Sequence, residues 1–187
     1  TEQVQGDAKY HLDRLKPLTV ESVQTTQSLK AIRQALARAD LVVDALLGTG
    51  IRGTSQGLIA EAIHILSEAT CPLVAVDLPS GLNADTGKAE GSCPRARATV
   101  TFGQPRRGHF IHPGRALSGS LHLVDIGIPA RAVEAEGVQT HLIAAHGGRA
   151  LLPHRAPDAH KGDCGRVVLL AGSVGLTGAA VLSAKAA

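Results

Sequence analysis

The sequence predicts an α/β fold built on a mostly parallel sheet, and three observations carry that expectation. Two short runs of aliphatic residues, LVVDALLG at 41–48 and LVAVDLPSG at 73–81, are apolar without alternation, the pattern of strands buried on both faces. Between them, residues 57–70 place Ile59, Ile63 and Leu66 at helical spacing. Strand, helix and strand over so short a span predict parallel neighbours joined by a right-handed crossover. The third observation is the palette: hydrophobic residues make up 44% of the chain, yet its aromatics are only Tyr10, Phe102 and Phe110. Such a core is aliphatic and suits helices layered on a sheet.

The remaining elements follow from the same periods. Residues 26–40 place Leu29, Ile32 and Leu36 on one helical face, with Lys30, Arg33 and Arg38 largely elsewhere. RATVTFG at 97–103 and LHLVDIGI at 121–128 are two further strands of undetermined direction, separated by a loop rich in Gly, Pro and Arg. After Pro129 no period is sustained, and 130–159 is expected to be a linker carrying at most one short helix. RVVLLAGS at 166–173 is then expected to be a buried strand, followed by a glycine hinge and an Ala-rich helix, the first pieces of a second domain.

Composition excludes several functions. With 187 residues the chain holds one good core and is too short for two ordinary domains. Its net charge is only +3, no stretch gathers five or six basic residues, and aromatics for stacking bases are nearly absent, which argues against a nucleic-acid partner. The stretch TEQVQGDAKYHLDRLKP lacks the apolar segment of a signal peptide, and no apolar run approaches the roughly 18 residues of a membrane helix. The three cysteines Cys71, Cys93 and Cys164 are far apart, odd in number and without a C-x-x-C pair, so a reducing, cytoplasmic setting is expected. The nine histidines lack zinc-ligand spacing, and Ser80 does not sit in a G-x-S-x-G elbow.

Chemistry is expected where the first two strands end, because ligands of parallel sheets gather outside the carboxyl ends of the strands. Asp44 and Asp77 lie at or near those ends, with Ser80 close behind. Adjacent parallel strands bring these three oxygen-bearing groups to one rim, an oxygen-rich site of the kind a hard or monovalent cation prefers. Between the strands, Gly48-Thr49-Gly50-Ile51-Arg52-Gly53-Thr54 leads into a helix near Gly57. Its backbone N–H groups, the helix dipole and Arg52 could hold a phosphate, or the loop is only a tight turn. An Asp at a strand end can also be a helix cap, although Pro79 stands against a helix starting at Asp77.

The linked motifs LVVDALLGTGIRG, VAVDLPSGLNADTGKAEG, ATVTFGQPRRGH and GSLHLVDIGIP resemble, in order and separation, the NAD(P)H-hydrate epimerase family, the YjeF N-terminal domain. The tail HKGDCGRVVLLAGSVGLTGAAVLSAKAA resembles the start of the ADP-dependent NAD(P)H-hydrate dehydratase, a ribokinase-like domain. The resemblance implies a Rossmann-like three-layer sandwich over 1–129, a linker over 130–159 and the beginning of the second domain over 160–187. It implies a potassium ion held by Asp44 and Ser80, and hydrated NADH or NADPH held by Gly48, Thr49, Gly50, Ile51, Arg52, Gly53, Thr54 and Asp77. Asp77 is then the catalytic acid/base for inversion at C6 of the hydrated nicotinamide ring. In the tail, the segment containing Lys161 and Gly178-Ala179-Ala180 resembles a substrate-approach region, and Ala179 is carried over from it. The second domain would use ADP or ATP with magnesium, at a site beyond residue 187.

Departures from the family pattern shape the expectation. The family's opening strand and its Asn-Asn-Gly-Gly-Asp-Gly loop, which supply another potassium ligand, have no counterpart in these residues. Arg106 stands where a lysine is common, keeping charge but not ammonium geometry. Two functions therefore compete: an epimerase, and a non-catalytic nucleotide-binding or interaction module that keeps the fold. An unpaired sheet edge also gives a route to a homo-oligomer.

Overall fold

A computed structural model describes residues 4–15, 18–50 and 53–187 and divides the chain into two compact units, Thr1–Glu136 and Gly137–Ala187. The first unit is built on four strands, β1 (Val42–Asp44), β2 (Leu73–Val76), β3 (Ala98–Phe102) and β4 (Ser120–Val124). They lie side by side in chain order, and every pair is parallel. The expected β1–β2 neighbours are thus formed, with Val42 opposite Leu73 and Asp44 opposite Ala75. The two strands whose direction the sequence leaves open run the same way, Ala75 facing Thr99 and Thr99 facing Leu121.

Strands that follow one another in order, joined by connections of one hand, receive all their connections on one face. Burial agrees with this. Val42, Asp44, Leu73, Ala75, Thr99 and Thr101 share a face by alternation and are buried, whereas Val43 on the opposite face is 61% exposed. The covering elements are α2 (Leu29–Leu36) and α3 (Gly57–Ser67), which follow α1 (Gly6–Arg14). Leu66 of α3 packs with Val42, Leu73 and Ala75, while Ala62 and Ile65 meet Leu29, Ile32 and Leu36 of α2. The helical stripe expected of 26–40 is the stripe used. Truncating Ile63, fully buried in α3, to alanine would cost about 2–5 kcal/mol. Two of the three expected layers, the sheet and the α2–α3 pair, are packed in this way among the described residues.

No helix links β2 to β3. The chain instead crosses as a loop with a bridge between Leu82 and Ala89, and this loop is locked by close backbone crossings. Gly108 lies so near the Asn83 carbonyl that a methyl group there would overlap it, and only glycine permits the approach. After β3 the chain forms a single 3₁₀ turn at Arg107–His109, then α4 (Gly114–Leu117), and β4 is followed by α5 (Ala130–Ala135). The strand expected at 121–128 is therefore shorter, ending at Val124, and the stretch 130–159, expected to carry at most one short helix, holds two, at 130–135 and 145–150.

The second unit holds α6 (Ala145–Ala150) and α7 (Gly178–Ala186). The Ala-rich helix forms as expected. The strand expected at 166–173 does not: only Ser173 pairs, in an isolated bridge to Leu176, and Val168 and Leu170 are exposed. An apolar run becomes a strand only when a neighbouring strand satisfies its N–H and C=O groups, and none lies beside it among the described residues of this unit.

Candidate functional site

The rim at the carboxyl ends of β1 and β2 is organised around Asp44. As the last residue of β1 it points into the covered face and is wholly buried. The tight turn after Pro79 then delivers Ser80 to it. The Ser80 backbone N–H donates to Asp44 Oδ2 at 2.7 Å, and the Ser80 hydroxyl donates to Asp44 Oδ1 at 2.6 Å. The Leu47 N–H closes the ring by donating to Ser80 Oγ at 3.0 Å, and the Leu46 N–H reaches Asp44 Oδ1 at 3.3 Å. The glycine loop that starts at Gly48 is thereby tethered to the turn after β2. Sequence spacing placed Asp44 and Ser80 together, and the structure brings them into direct contact.

Among the described residues no lysine or arginine pairs with Asp44. A buried carboxylate without a cation is expensive, and hydrogen bonds offset only part of that cost. Its charge is felt by the neighbouring thiol: burial first, and then Asp44, push Cys93 up to about 12, so this cysteine is an inert wall. Oxygen donors and an uncompensated negative charge are what a hard monovalent cation requires, so Asp44 and Ser80 fit such an ion in kind. Among the described residues no group of three or more His, Cys, Asp or Glu side chains gathers to hold a metal. Further ligands would be carbonyls, water or substrate.

Asp77 differs. It follows β2 directly and takes up φ +66°, the left-handed region that non-glycine residues seldom adopt, though Asp tolerates it better than most. Its N–H donates to the Val100 carbonyl at 2.7 Å, continuing the sheet pairing into the turn. The Thr101 hydroxyl donates to Asp77 Oδ1 at 2.8 Å, and Arg106 Nε lies 3.8 Å from the same oxygen. Arg106 Nε is itself buried without a hydrogen-bond partner. Asp77 Oδ2 accepts no hydrogen bond among the described residues and faces Gly48, where an added Cβ would stand 3.9 Å away. One oxygen is fixed and the other is turned to the glycine loop.

The loop itself offers donors. Among the described residues, the N–H groups of Gly48, Thr49, Gly50, Gly53 and Thr54 have no protein acceptor, and α3 begins at Gly57 as expected. Thr54 also approaches Gly91 of the loop after β2, so the two loops adjoin. Ile51 and Arg52 fall outside the described residues. Ala179 lies in the first turn of α7, exposed, and Lys161 is exposed as well, both in the second unit.

Two contributors escaped the sequence reasoning. Thr101 looks like an ordinary strand residue in the run ATVTF, and nothing local says that its hydroxyl meets Asp77. His109 is the other. Its Nε2 lies 2.8 Å from the Asp77 carbonyl and its Nδ1 3.1 Å from the Arg106 N–H. A carbonyl only accepts and an N–H only donates, so Nε2 carries the proton and Nδ1 does not: the ring is neutral. It is buried, and burial lowers its pKa from the ordinary value, with the Arg106 charge acting the same way against the opposing pull of Asp77. A separate cavity of about 500 Å³ lies past the ends of β3 and β4, lined by Gly103, Leu123, Asp125 and Val133 among others, and excludes Asp44, Asp77 and Ser80.

Comparison with known proteins gives a consistent picture. Residues 1–108 match the family described as YjeF-related protein N-terminus. The whole chain is similar, at 44% identity, to a bifunctional NAD(P)H-hydrate repair enzyme of Moorella thermoacetica, covering 36% of that protein. Identity is 34% over 90% of the chain to a protein of the same name from Thermofilum pendens, of which it covers 31%. A relative of that name from Coxiella burnetii is 36% identical over 81% of the chain, again covering 31% of the relative. The chain spans about a third of the length of these curated relatives.

Proposed function

Since the chain belongs to the family of YjeF-related protein N-termini, we propose that it interconverts the R and S forms of hydrated NADH or NADPH, as the epimerase part of a nicotinamide-cofactor repair enzyme. The observation that carries this reading is the division of labour between two adjacent carboxylates. Asp44 is locked with Ser80 in a buried ring of hydrogen bonds, while Asp77 keeps one oxygen at the rim that accepts no hydrogen bond among the described residues.

C6 bears both the hydroxyl and the ring nitrogen, so inversion balances as a reversible ring opening: the C6–N1 bond breaks as the hydroxyl proton leaves, C6 becomes an aldehyde and N1 takes a proton, and reclosure on the other face re-forms the C6–N1 bond and the hydroxyl. Asp77 Oδ2 takes and returns the hydroxyl proton in this proposal. Thr101 and Arg106, both directed at Oδ1, keep the other oxygen from competing for it. The N–H groups of Gly48, Thr49, Gly50, Gly53 and Thr54, which have no protein acceptor among the described residues, bind the dinucleotide's phosphates in this proposal together with Ile51 and Arg52, which ties the cofactor to the rim through its unreactive part. Asp44 and Ser80 would hold a potassium ion, whose positive charge would favour substrate oxygens nearby. A parent protein that also dehydrates the S form at the expense of ADP or ATP with magnesium belongs to the same proposal, with Ala179 marking the approach to that second site. We also place the protein in the cytoplasm, consistent with three free thiols and with no described helix long and apolar enough to cross a membrane.

The test is direct: supply one epimer of hydrated NADPH to the chain in potassium buffer and follow the other by chromatography. Equilibration faster than the spontaneous rate, abolished by Asp77→Asn, is the expected result. Thermal stabilisation by the hydrate without any turnover would replace the enzyme by a non-catalytic binding module. Neither stabilisation nor turnover in a folded chain would overturn both.

A further inference from the structure

The imidazole of His109 joins the two charged members of the rim through their backbones, and nothing in the acid/base proposal uses it. Resting on the reading of Asp77 as the acid/base, we propose that His109 is a positioning residue: it clamps the left-handed backbone of Asp77 to the Arg106 loop, so that Asp77 Oδ2 faces the glycine loop. Three observations support the assignment. Asp77 is the one non-glycine residue with positive φ among the described residues, and a strained conformation persists only where its surroundings over-determine it. The carbonyl that this conformation presents is the one that accepts the His109 Nε2–H. The other ring nitrogen accepts the Arg106 N–H, immediately before the 3₁₀ turn that carries His109. Both ring nitrogens are thus occupied, in a ring that is 1% exposed and cannot reach a substrate. It acts through Asp77 and Arg106 rather than on the reacting atoms.

Glutamine and asparagine separate the two bonds. A glutamine amide nitrogen reaches the position of Nε2 and can still donate to the Asp77 carbonyl, whereas asparagine reaches only the position of Nδ1. In the full 187-residue chain, the expected kcat of His109→Asn is lower by about a hundredfold, with KM little changed, because orientation rather than binding is lost. His109→Gln restores kcat to within a few-fold of the parent. A second reading needs no turnover: the scalar coupling between the amide and α protons of Asp77 reports φ. It is expected to keep the left-handed value in His109→Gln and to leave it in a folded His109→Asn. An unchanged coupling in both variants, or kcat unaffected by His109→Asn, would overturn the clamp. A parent chain without epimerase turnover, whose Asp77 coupling nonetheless depends on His109 in this manner, would overturn the functional reading and sustain the clamp.

Discussion

Asp44 and Asp77 sit at the ends of neighbouring strands, yet their surroundings are opposites. Asp44 is the last residue of a regular strand, fully buried, with both oxygens accepting hydrogen bonds and no cation among the described residues to balance it. Asp77 stands one residue beyond its strand, in a left-handed conformation, part-exposed, with one oxygen engaged by Thr101 and Arg106 and the other open. The difference teaches how a parallel sheet makes two tools from one residue type. Asp44, inside the strand register, is a hydrogen-bonded hub. Asp77, the residue that follows its strand, turns through the αL region and keeps one oxygen that accepts no hydrogen bond among the described residues.

If that contrast holds, substituting the two residues fails in different ways. Asp77→Asn is expected to lower epimerisation by about 10²–10⁴-fold, the range over which a positioned acid/base contributes. Its melting temperature should stay close to that of the parent, since asparagine also tolerates positive φ and retains an oxygen for Thr101. A large stability loss with preserved turnover would reverse the roles. Asp44→Asn should do the converse. Its amide nitrogen would set a donor against either the Ser80 N–H or the Ser80 hydroxyl, costing roughly 1–3 kcal/mol of unfolding free energy, and potassium should no longer raise the melting temperature. Denaturant titration with and without potassium reads both.

Ser80→Ala sharpens the account of the buried ring with a smaller effect. It removes the donor to Asp44 Oδ1 and the acceptor of the Leu47 N–H while leaving the Ser80 backbone bond in place. A loss of about 1–2 kcal/mol is expected, together with weaker potassium stabilisation. Equal stability in Ser80→Ala and parent would show that the hydroxyl contributes nothing to holding Asp44.

How far the sequence disclosed this site depends on the range of each interaction. Asp44, Ser80 and the glycine loop were legible because two unbroken apolar runs around one helix leave few topologies, and a parallel pair sets its own ends side by side. The same rule failed at 166–173, where an equally apolar run has no neighbour to pair with. Thr101 and His109 were invisible for a different reason. They reach Asp77 from 24 and 32 residues away, across a connection whose path is set by backbone crossings such as Gly108 against Asn83, and no local period encodes those. A histidine beside a glycine carries no mark of burial. Its role emerges only when both ring nitrogens find their partners.

The smallest expected effect lies in the pH dependence of stability, and it bears on why the Asp77 side of the rim can afford its strained geometry. His109 is held neutral, with a folded pKa below its ordinary value of 6.5, chiefly by burial. As pH falls the unfolded imidazole therefore takes up its proton before the folded one does. The stabilisation due to the neutral ring is complete above about 6.5 and is lost progressively below it, as pH falls toward the folded value. The Asp77 carboxylate opposes this by favouring the cation, and the Arg106 guanidinium reinforces it. Melting temperature followed from neutral to acidic pH should fall more steeply for the parent than for His109→Gln, which has no proton to gain at this position. Every other titratable group is common to both chains, so the difference isolates position 109. Parallel curves would mean that the ring is not held neutral, and the hydrogen bond from the Arg106 N–H to Nδ1 would then lose its support.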